Sequence, residues 1–201
     1  MTSAARWKAA LAAGGLAATL LAGCGGEDPP AAGVIALSDQ FSSDFNLVDH
    51  NGERRSDEDF RGKVMFVYFG FATCPDVCPL ALGRMTGALE ELKPGELDDV
   101  QPLFITVDPE RDTPEKLEAY LSFDERILGL TGDLEAAEAA RRSFKTFAEK
   151  RPLPESELGY TMDHYSLFYL VDRDGQPRVA LKDSMTPAEI AASVRRALRW
   201  R

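Results

Sequence analysis

The chain has 201 residues, of which 44% are hydrophobic and 28% are charged, and this composition is typical of one globular domain with a substantial core. Its formal net charge is −10 at pH 7 and no basic stripe runs along it, so nucleic-acid binding has no electrostatic basis. Three cysteines and two histidines are present, so any thiol or imidazole chemistry rests on few residues.

Residues 1–23 have the layout of an export signal. Arg6 and Lys8 form a positively charged start, residues 9–22 form an apolar segment, and small residues then precede Cys24. The apolar segment is shorter than the roughly 20 residues that a membrane-spanning helix needs. The small residues before the cysteine resemble the processing box of bacterial lipoproteins, which implies cleavage before Cys24 and lipid attachment to its sulfur. An ordinary signal peptide and an uncleaved anchor are the alternatives.

Residues 24–36 contain paired glycines, prolines and alanines, and this composition predicts a flexible tether. The tether would join the lipid to a single domain over residues 37–201. An exported, lipid-anchored protein lies on the extracytoplasmic face of a bacterial membrane, in the periplasm, where disulfide bonds persist. With Cys24 carrying lipid, Cys74 and Cys78 are the two thiols left for chemistry.

The domain alternates predicted strands and helices. A β-hairpin is predicted around the Asn-Gly pair at 51–52, and a short helical turn follows at 56–59, where the sequence matches a capping box. The next predicted elements are a strand at 64–69, a helix from about 76 to a stop at 93–95, a strand at 100–107, a helix from 113 and a strand at 127–130. They are followed by a helix at 134–147, a loop at 151–160, two strands at 165–171 and 178–181, and a final helix from 186.

This order of elements indicates an α/β protein in which helices flank a central mixed sheet, with an N-terminal β-hairpin extension. The predicted order opens with a strand, a cysteine-bearing turn and a helix, and it closes with an antiparallel hairpin and a last helix. That is the layout of the thioredoxin-like fold.

The two thiols lie in a proline-flanked turn between a buried strand and a helix. Cys78 is one helical turn beyond Cys74, so both sulfurs can face one point if the helix begins near Asp76. Converging thiols are suited to reversible disulfide chemistry and to binding a soft metal ion. The spacing alone leaves both possibilities open.

Disulfide oxidoreductases of this layout use Cys-x-x-Cys, whereas three residues separate the cysteines here. Thioredoxins also place a proline before the strand that faces the cysteines, but residues 159–165 contain no proline and carry His164 instead. Two thiolates and one imidazole suit copper, as Cu(I) through the thiolates and as Cu(II) through the imidazole. A closed zinc site would usually need a fourth ligand. His50, in the Asn-Gly turn, is predicted to be exposed surface.

Several segments resemble the Sco/SenC family of copper proteins. They lie in order along the chain, at residues 68–79, 103–113 and 129–132 and at Asp163-His164. The resemblance extends over about residues 45–194, which is nearly the whole domain. It implies a thioredoxin-like fold and a role in delivering copper to the binuclear copper centre of a cytochrome c oxidase subunit, or in reducing the cysteines of that centre.

The same resemblance implies a copper ion, as Cu(I), Cu(II) or both, bound by Cys74, Cys78 and His164. The implied partners are the copper-binding oxidase subunit and a thiol-reducing protein, because the cysteines must be reduced before they bind. Asp76 is a candidate hydrogen-bond acceptor or docking charge beside the site, or simply the N-cap of the helix. Asp163 would orient His164, or simply begin a strand.

Three functions remain open from the sequence. The first is a copper chaperone, a binding protein rather than an enzyme. The second is a thiol-disulfide reductase of exported proteins, and the third is a copper or redox sensor or a peroxide-scavenging module. His164 separates the first two, because a reductase needs only Cys74 and Cys78 whereas a copper site also needs the imidazole.

Overall fold

The computed structural model describes residues 31–200, so the predicted signal segment and Cys24 lie outside the described residues. The strands are β1 (Val34–Ala36), β2 (Asn46–Asp49), β3 (Arg54–Ser56), β4 (Val64–Gly70), β5 (Val100–Thr106), β6 (Leu128–Thr131), β7 (Ala148–Leu153), β8 (Gly159–His164), β9 (Leu167–Val171) and β10 (Pro177–Lys182). The helices are α1 (Val77–Glu90), α2 (Pro94–Leu97), α3 (Pro114–Leu121), α4 (Leu134–Ser143) and α5 (Pro187–Ala197), with a short 3-10 helix at Asp57–Phe60.

Eight strands form one sheet in the order β1-β10-β9-β4-β5-β6-β2-β3. The central strands β4, β5 and β6 are parallel, and the flanking strands join them antiparallel, so the sheet is mixed as predicted. The β2–β3 hairpin extends the sheet beyond β6, which confirms the predicted N-terminal hairpin extension. The remaining strands, β7 and β8, form a separate two-stranded sheet.

The core lies on both faces of the central strand β4, in which all seven residues are buried. Strand side chains alternate between faces, so Tyr68 and Phe69 point to opposite layers. Tyr68 packs on the rings of Phe104 and Phe168 on one face. Phe69 packs on rings from the other face, those of Phe144 and Tyr169. Burial on both faces explains why β4 reads as a continuous apolar run rather than an alternating one.

Helix starts follow the sequence signals closely. Thr113 and Thr186 precede prolines, and each hydroxyl accepts a backbone N–H from the first turn of α3 or α5. At the 3-10 helix, the carboxylate of Asp59 accepts the backbone N–H of Ser56 at 2.7 Å, as the capping-box pattern predicts. Within residues 31–200, none of the helices has the length and hydropathy that a membrane span requires.

The predicted loop at 151–160 is wrong at both ends, where residues 151–153 and 159–160 lie in strands, and right between them. It holds the end of β7 and the start of β8, which pair from Ala148 opposite His164 to Leu153 opposite Gly159. The strands were missed because β7 is mostly exposed and polar, so it lacks an apolar period, and because Pro152 argues against a strand interior. Among the described strands β7 pairs only with β8, and a proline is tolerated on such an edge.

Three predicted boundaries also need correction. Helix α4 ends at Ser143 rather than at residue 147, and Lys145 soon afterwards has a positive φ of 48°, a conformation that ends a helix. Helix α1 ends at Glu90, shortly before the predicted stop at 93–95, and the short helix α2 follows with Pro94 in its first position. The predicted tether reaches residue 36, but Val34–Ala36 forms strand β1 against β10. Three residues are too few to show a strand pattern in sequence.

Candidate metal centre

Strand β4 ends at Gly70, and the cysteine turn begins directly after it. A Cβ atom at Gly70 would lie 3.0 Å from the Cys78 Sγ and 2.9 Å from ring atoms of Tyr68 and Phe104. The sulfur therefore rests against bare backbone, and glycine is the residue that permits this approach. Cys78 is fully buried and Cys74 is half-buried, and both thiols are free within the described chain.

The Cys74 sulfur occupies the place of a helix cap. The backbone N–H of Cys78, in the first turn of α1, donates to Cys74 Sγ at 3.4 Å. Asp76 is the N-cap residue by position, but its side chain makes no capping hydrogen bond among the described residues. The interpretation of Asp76 as a side-chain cap is therefore wrong, because the thiol has taken that role. Asp76 is instead exposed, in the wall of the cleft beside Cys74.

The two thiols differ strongly in acidity. A hydrogen bond from the Cys78 thiol, together with those from the backbone N–H groups of Asp76 and Cys78, outweighs burial and lowers the pKa of Cys74 to about 3. The same hydrogen bond to Cys74, reinforced by burial, raises the pKa of Cys78. Cys74 is therefore a thiolate at neutral pH, and Cys78 keeps the proton of the pair.

His164 is brought to these sulfurs by strand β8, of which it is the last residue. Its Nε2 lies 3.5 Å from Cys78 Sγ, and its Nδ1 lies 3.0 Å from the carbonyl oxygen of Tyr165. A carbonyl only accepts, so Nδ1 carries the ring proton and Nε2 presents its lone pair to the cysteines. This is the tautomer that a metal-binding histidine needs.

The residue that orients His164 is not the predicted one. Asp163 pairs with Arg151, with Oδ1 accepting from Nε at 3.1 Å, on the exposed face of β8. Adjacent strand residues point to opposite faces, so Asp163 cannot reach the His164 ring. The Tyr165 carbonyl does the orienting, and a backbone acceptor leaves no signal in a sequence. The strand predicted at 165–171 is β9, which starts at Leu167.

Aromatic rings shield the imidazole and the buried sulfur. The rings of Phe71 and Tyr68 stand edge-on to the His164 ring, with centroids 5.7 Å and 6.3 Å away. The Tyr68 hydroxyl donates to Ser166 Oγ at 2.9 Å, and Ser166 in turn donates to the Asp183 carboxylate at 2.8 Å. Burial raises the pKa of Tyr68, so it stays a neutral donor. Sequence reasoning missed Ser166 and Asp183, which no spacing links to the cysteines.

The acidic segment at 108–112 fastens the cysteine turn. The buried Asp112 carboxylate accepts the Ala72 N–H at 2.9 Å and the Thr106 hydroxyl at 2.7 Å. Burial raises the pKa of Asp112, although these hydrogen bonds and the nearby Lys116 oppose the shift. The sequence predicts that this segment caps the following helix and docks loops. The docking occurs, whereas the N-cap of α3 is Thr113, the residue after the segment.

The other histidine lies elsewhere. His50 was predicted to be exposed, but it is half-buried and its Nδ1 accepts the Gly129 N–H at 3.1 Å. The prediction is wrong because β2 pairs with β6, which brings the turn against Gly129. His50 therefore has a structural hydrogen bond remote from the cysteines.

Two of the predicted donors, Cys74 and His164, line one cleft, whose volume is about 460 Å³, and the third, Cys78, is buried beside His164. Metal bonds of about 2.3 Å to sulfur and 2.0 Å to nitrogen, at tetrahedral or trigonal angles, place the two donors roughly 3.5 Å apart. The observed distance of 3.5 Å from Cys78 Sγ to His164 Nε2 fits that requirement. Within residues 31–200, however, no group of three Cys, His, Asp or Glu side chains is already closed around a metal position.

Curated relatives share much of this sequence. The "Protein SCO2 homolog, mitochondrial" of Danio rerio is 45% identical over 134 residues, which are 66% of this chain and 48% of that protein. The "SCO2-like protein" of Rickettsia felis is 36% identical over 153 residues, which are 74% of each protein. The chain thus spans about half the length of the first relative and about three quarters of the second.

Solved structures share the fold. Copper-bound ScoI of Bradyrhizobium japonicum matches with a TM-score of 0.71 and 38% identity, covering 78% of this chain and 99% of that one. A SCO1/SenC family lipoprotein from Bacillus anthracis matches with a TM-score of 0.67 and 28% identity, covering 80% and 96%. BsSco, a cytochrome c oxidase assembly protein of the Sco family with a disulfide switch, matches with a TM-score of 0.65 and 28% identity, covering 83% and 99%.

These neighbours confirm the predicted thioredoxin-like fold, and the predicted resemblance is confirmed as well. The model of the SCO1/SenC family matches residues 35–199, from strand β1 to the end of α5 and just beyond. The match includes the cysteine turn, the acidic segment that fastens it and the strand that ends in the histidine. The chain belongs to the SCO1/SenC family.

Proposed function

We propose that this protein is an extracytoplasmic copper chaperone for cytochrome c oxidase, with Cys74, Cys78 and His164 as its copper ligands. It would deliver copper to the binuclear copper centre of the copper-binding oxidase subunit. The observation that carries the proposal is the His164 Nε2 lone pair, 3.5 Å from the Cys78 sulfur and held there by the Tyr165 carbonyl. A dithiol that exchanged only disulfides would not need an oriented imidazole. Copper-bound and oxidase-assembly relatives support the same reading.

The geometry suits a cargo that is captured and then released. Cys74 is already ionised, so copper displaces one proton, from Cys78, when both thiolates bind. His164 offers Nε2 as the donor atom, since Nδ1 is the nitrogen that bonds the Tyr165 carbonyl. Cys74 borders an open cleft, so a ligand of the acceptor protein can enter the coordination shell while the bonds to this chain break. A thiol-reducing partner would restore the cysteines after oxidation.

Lipid attachment at Cys24 is part of the same proposal. The lipoprotein box after residues 1–23 and the family lipoprotein from Bacillus anthracis support it. The lipid would hold the domain at the periplasmic face of the membrane, through the short segment that precedes strand β1.

The central test is copper binding by the reduced protein. We expect one Cu(II) per chain with a thiolate-to-copper charge-transfer band, because thiolate and imidazole together accept Cu(II). His164→Ala should abolish tight Cu(II) binding, and His50→Ala should leave it unchanged, since His50 bonds only to Gly129 in the described structure. Unchanged stoichiometry and affinity in His164→Ala would exclude the ligand assignment.

A thiol-disulfide reductase is the second candidate, because the partly exposed Cys74, whose thiol has a low pKa, lies beside the buried Cys78 thiol. In that reaction the Cys74 thiolate attacks a partner disulfide and forms a mixed disulfide. Cys78 then attacks Cys74, which leaves the partner with two thiols and this chain with a disulfide. The reductase activity should survive His164→Ala, and Cys78→Ser should trap the mixed disulfide. A peroxidase would instead turn over hydrogen peroxide with a thiol donor.

A further inference from the structure

The candidate ligands come from two separate sheets. The cysteine turn follows β4 in the eight-stranded sheet, whereas His164 ends β8 in the two-stranded sheet. The hairpin formed by β7 and β8 has no strand pairing to the main sheet among the described residues. The chain itself fixes the end of the hairpin at His164, because β9 of the main sheet starts three residues later, and side-chain contacts hold the rest of the hairpin to the body.

Arg111 makes the most extensive of these contacts. Its Nε donates to the buried Asp108 carboxylate, and its Nη1 donates to the Tyr160 carbonyl oxygen at 3.0 Å. Its guanidinium carbon lies 3.7 Å from the centre of the Tyr160 ring, in cation–π range. The Tyr160 hydroxyl donates to the other Asp108 oxygen at 2.7 Å, so that each of the three residues contacts the other two. We call Asp108, Arg111 and Tyr160 the hairpin clamp.

The clamp and the imidazole lie on the same face of β8. Strand side chains alternate, so Tyr160, Met162 and His164 share the face that looks toward the cysteine turn. Four residues of strand span about 13 Å, which makes the clamp a remote support rather than a ligand. Fixing the Tyr160 backbone and ring therefore supports the strand that carries His164, while the Tyr165 carbonyl orients the imidazole ring itself.

The clamp is also joined to the cysteine side of the site. The Phe71 ring, in the cysteine turn, lies 5.7 Å from the His164 ring and 6.0 Å from the Arg111 guanidinium. The next residue, Asp112, holds the Ala72 N–H at 2.9 Å. Two adjacent residues thus hold the two halves of the site, Asp112 the cysteine turn and Arg111 the histidine hairpin.

Two other side-chain contacts hold the hairpin, but neither joins it to the cysteine turn. Lys150 pairs with Glu110, but both side chains are nearly half exposed, and such pairs contribute little. Arg141 donates to the Ala148 carbonyl at 2.6 Å and so supports the start of β7 from α4. The Arg111 side chain is 19% exposed and its partner Asp108 is 1% exposed, so this ion pair is sheltered from solvent.

We propose that Arg111 is a positioning residue, which sets the His164 imidazole at the distance from the cysteine pair that copper capture requires. The inference rests on the proposed copper function and adds a residue that acts through His164 without touching the metal. Arginine is specifically required, since its planar group stacks on Tyr160 while its fork bonds two acceptors.

The first experiment measures copper binding by the reduced full chain. Loss of a residue that supports a metal ligand typically costs 10- to 100-fold in metal affinity, so Arg111→Ala should weaken Cu(II) binding by about that factor. Imidazole nitrogen hyperfine splitting in the Cu(II) EPR spectrum should also weaken or disappear. Arg111→Lys should fail to restore either property, and Tyr160→Phe, which keeps the ring, should cause a smaller loss.

The matched control is Arg126→Ala. Arg126 also pairs its Nε with a buried aspartate, Asp124, but in the loop between α3 and β6. Its loss should lower the melting temperature without changing the EPR spectrum. Comparing Arg111→Ala with this control separates a general loss of stability from a displaced ligand, and Tyr160→Phe carries the same comparison if Arg111→Ala does not fold.

A double-mutant cycle decides whether Arg111 acts through His164. It is measured with Cu(I), which two thiolates still bind when the imidazole is absent. Arg111→Ala should weaken Cu(I) binding in the normal background and cause no further loss in His164→Ala. The inference would be overturned if the losses of Cu(I) affinity caused by Arg111→Ala and His164→Ala added in the double variant. It would also be overturned if Arg111→Ala left the copper affinity and the EPR spectrum unchanged. Failure of the unsubstituted protein to bind copper would instead overturn the proposed function, and the inference with it.

Discussion

At the scale of single residues, position in the turn makes two identical side chains chemically different. Cys74 accepts hydrogen bonds at the start of α1 and faces the cleft, so its ionised form is favoured. Cys78 is buried against Gly70 and donates to its neighbour, so its neutral form is favoured. The pair thus combines a reactive thiolate with a protected thiol.

This difference predicts selective alkylation. Iodoacetamide should modify Cys74 at a rate that stays nearly constant between about pH 5 and about pH 8, because a pKa of about 3 keeps the thiolate fully formed there. Cys78 should remain unmodified while the protein is folded, since it is fully buried. Peptide mapping by mass spectrometry measures both rates.

The control for this prediction is Cys78→Ala, which removes the hydrogen bond that contributes most to the low Cys74 pKa. The alkylation rate should then increase with pH over the same range. A rate in the unsubstituted protein that rises about tenfold per pH unit would show that Cys74 is an ordinary thiol.

At the scale of elements, the site depends on how closely α1 approaches the end of β4. Gly70 allows the Cys78 sulfur to lie against the strand backbone, with Tyr68 and Phe104 filling the remaining space. Cys78 in turn contacts His164. The packing of one helix on one strand therefore sets the place at which the imidazole meets the thiol.

Gly70→Ala should disrupt this packing. The new methyl group would lie 2.9–3.0 Å from three atoms, and overpacking of this kind costs about 1–3 kcal/mol. We expect a lower free energy of unfolding in urea and weaker copper binding, because Cys78 must move.

Gly83→Ala is the matched control, since a Cβ at this position of α1 meets no described atom within 4 Å. Alanine is the better helix former by up to about 1 kcal/mol, so this variant should be as stable as the parent or more so. Equal stability and equal copper affinity in Gly70→Ala would contradict the packing argument.

At the scale of the whole molecule, ion pairs of buried aspartates hold loops at different edges. Asp49 accepts from Arg55 and from the backbone N–H groups of Asn51 and Glu53, which secures the β2–β3 turn. Asp124 accepts from Arg126 and from Thr86, which ties the loop before β6 to α1. Burial alone would raise the pKa of both carboxyls, but these hydrogen bonds outweigh it and lower the pKa.

These shifts predict the acid stability of the fold. A carboxyl whose pKa is lower in the folded than in the unfolded state stabilises the fold at pH values above its pKa in the unfolded state. This stabilisation is lost as the pH falls through the pKa that the carboxyl has in the folded state. The melting temperature should therefore decrease as the pH is lowered below about 4. Asp112 works in the opposite direction, because burial raises its pKa.

Asp49→Asn and Asp124→Asn measure each contribution. Each variant should melt below the parent at neutral pH, and the difference should shrink as the pH falls below about 4, where the parent also loses the charge. Calorimetric scans over a pH series give the comparison. A difference that stayed constant into strong acid would show that the carboxylate charge is not responsible.

Much of the fold follows from local patterns. The apolar run of β4, the caps at Thr113 and Thr186, and the hairpin before β4 are all short-range signals, and each is confirmed by the structure. The cysteine turn and its resemblance to the Sco/SenC family were equally visible. The hairpin of β7 and β8 was not, because its strands are largely polar and owe their form to pairing rather than to an apolar period.

The sequence by itself determined the element types, the cysteine spacing and the family. Only the tertiary structure decided that the His164 ring meets Cys78 across 86 positions, that Cys74 is the thiolate, and that Tyr165 rather than Asp163 orients the imidazole. The physical reason is distance along the chain. Periodicity and capping act within a few residues, whereas burial, hydrogen-bond direction and pKa depend on groups that only the completed packing brings together.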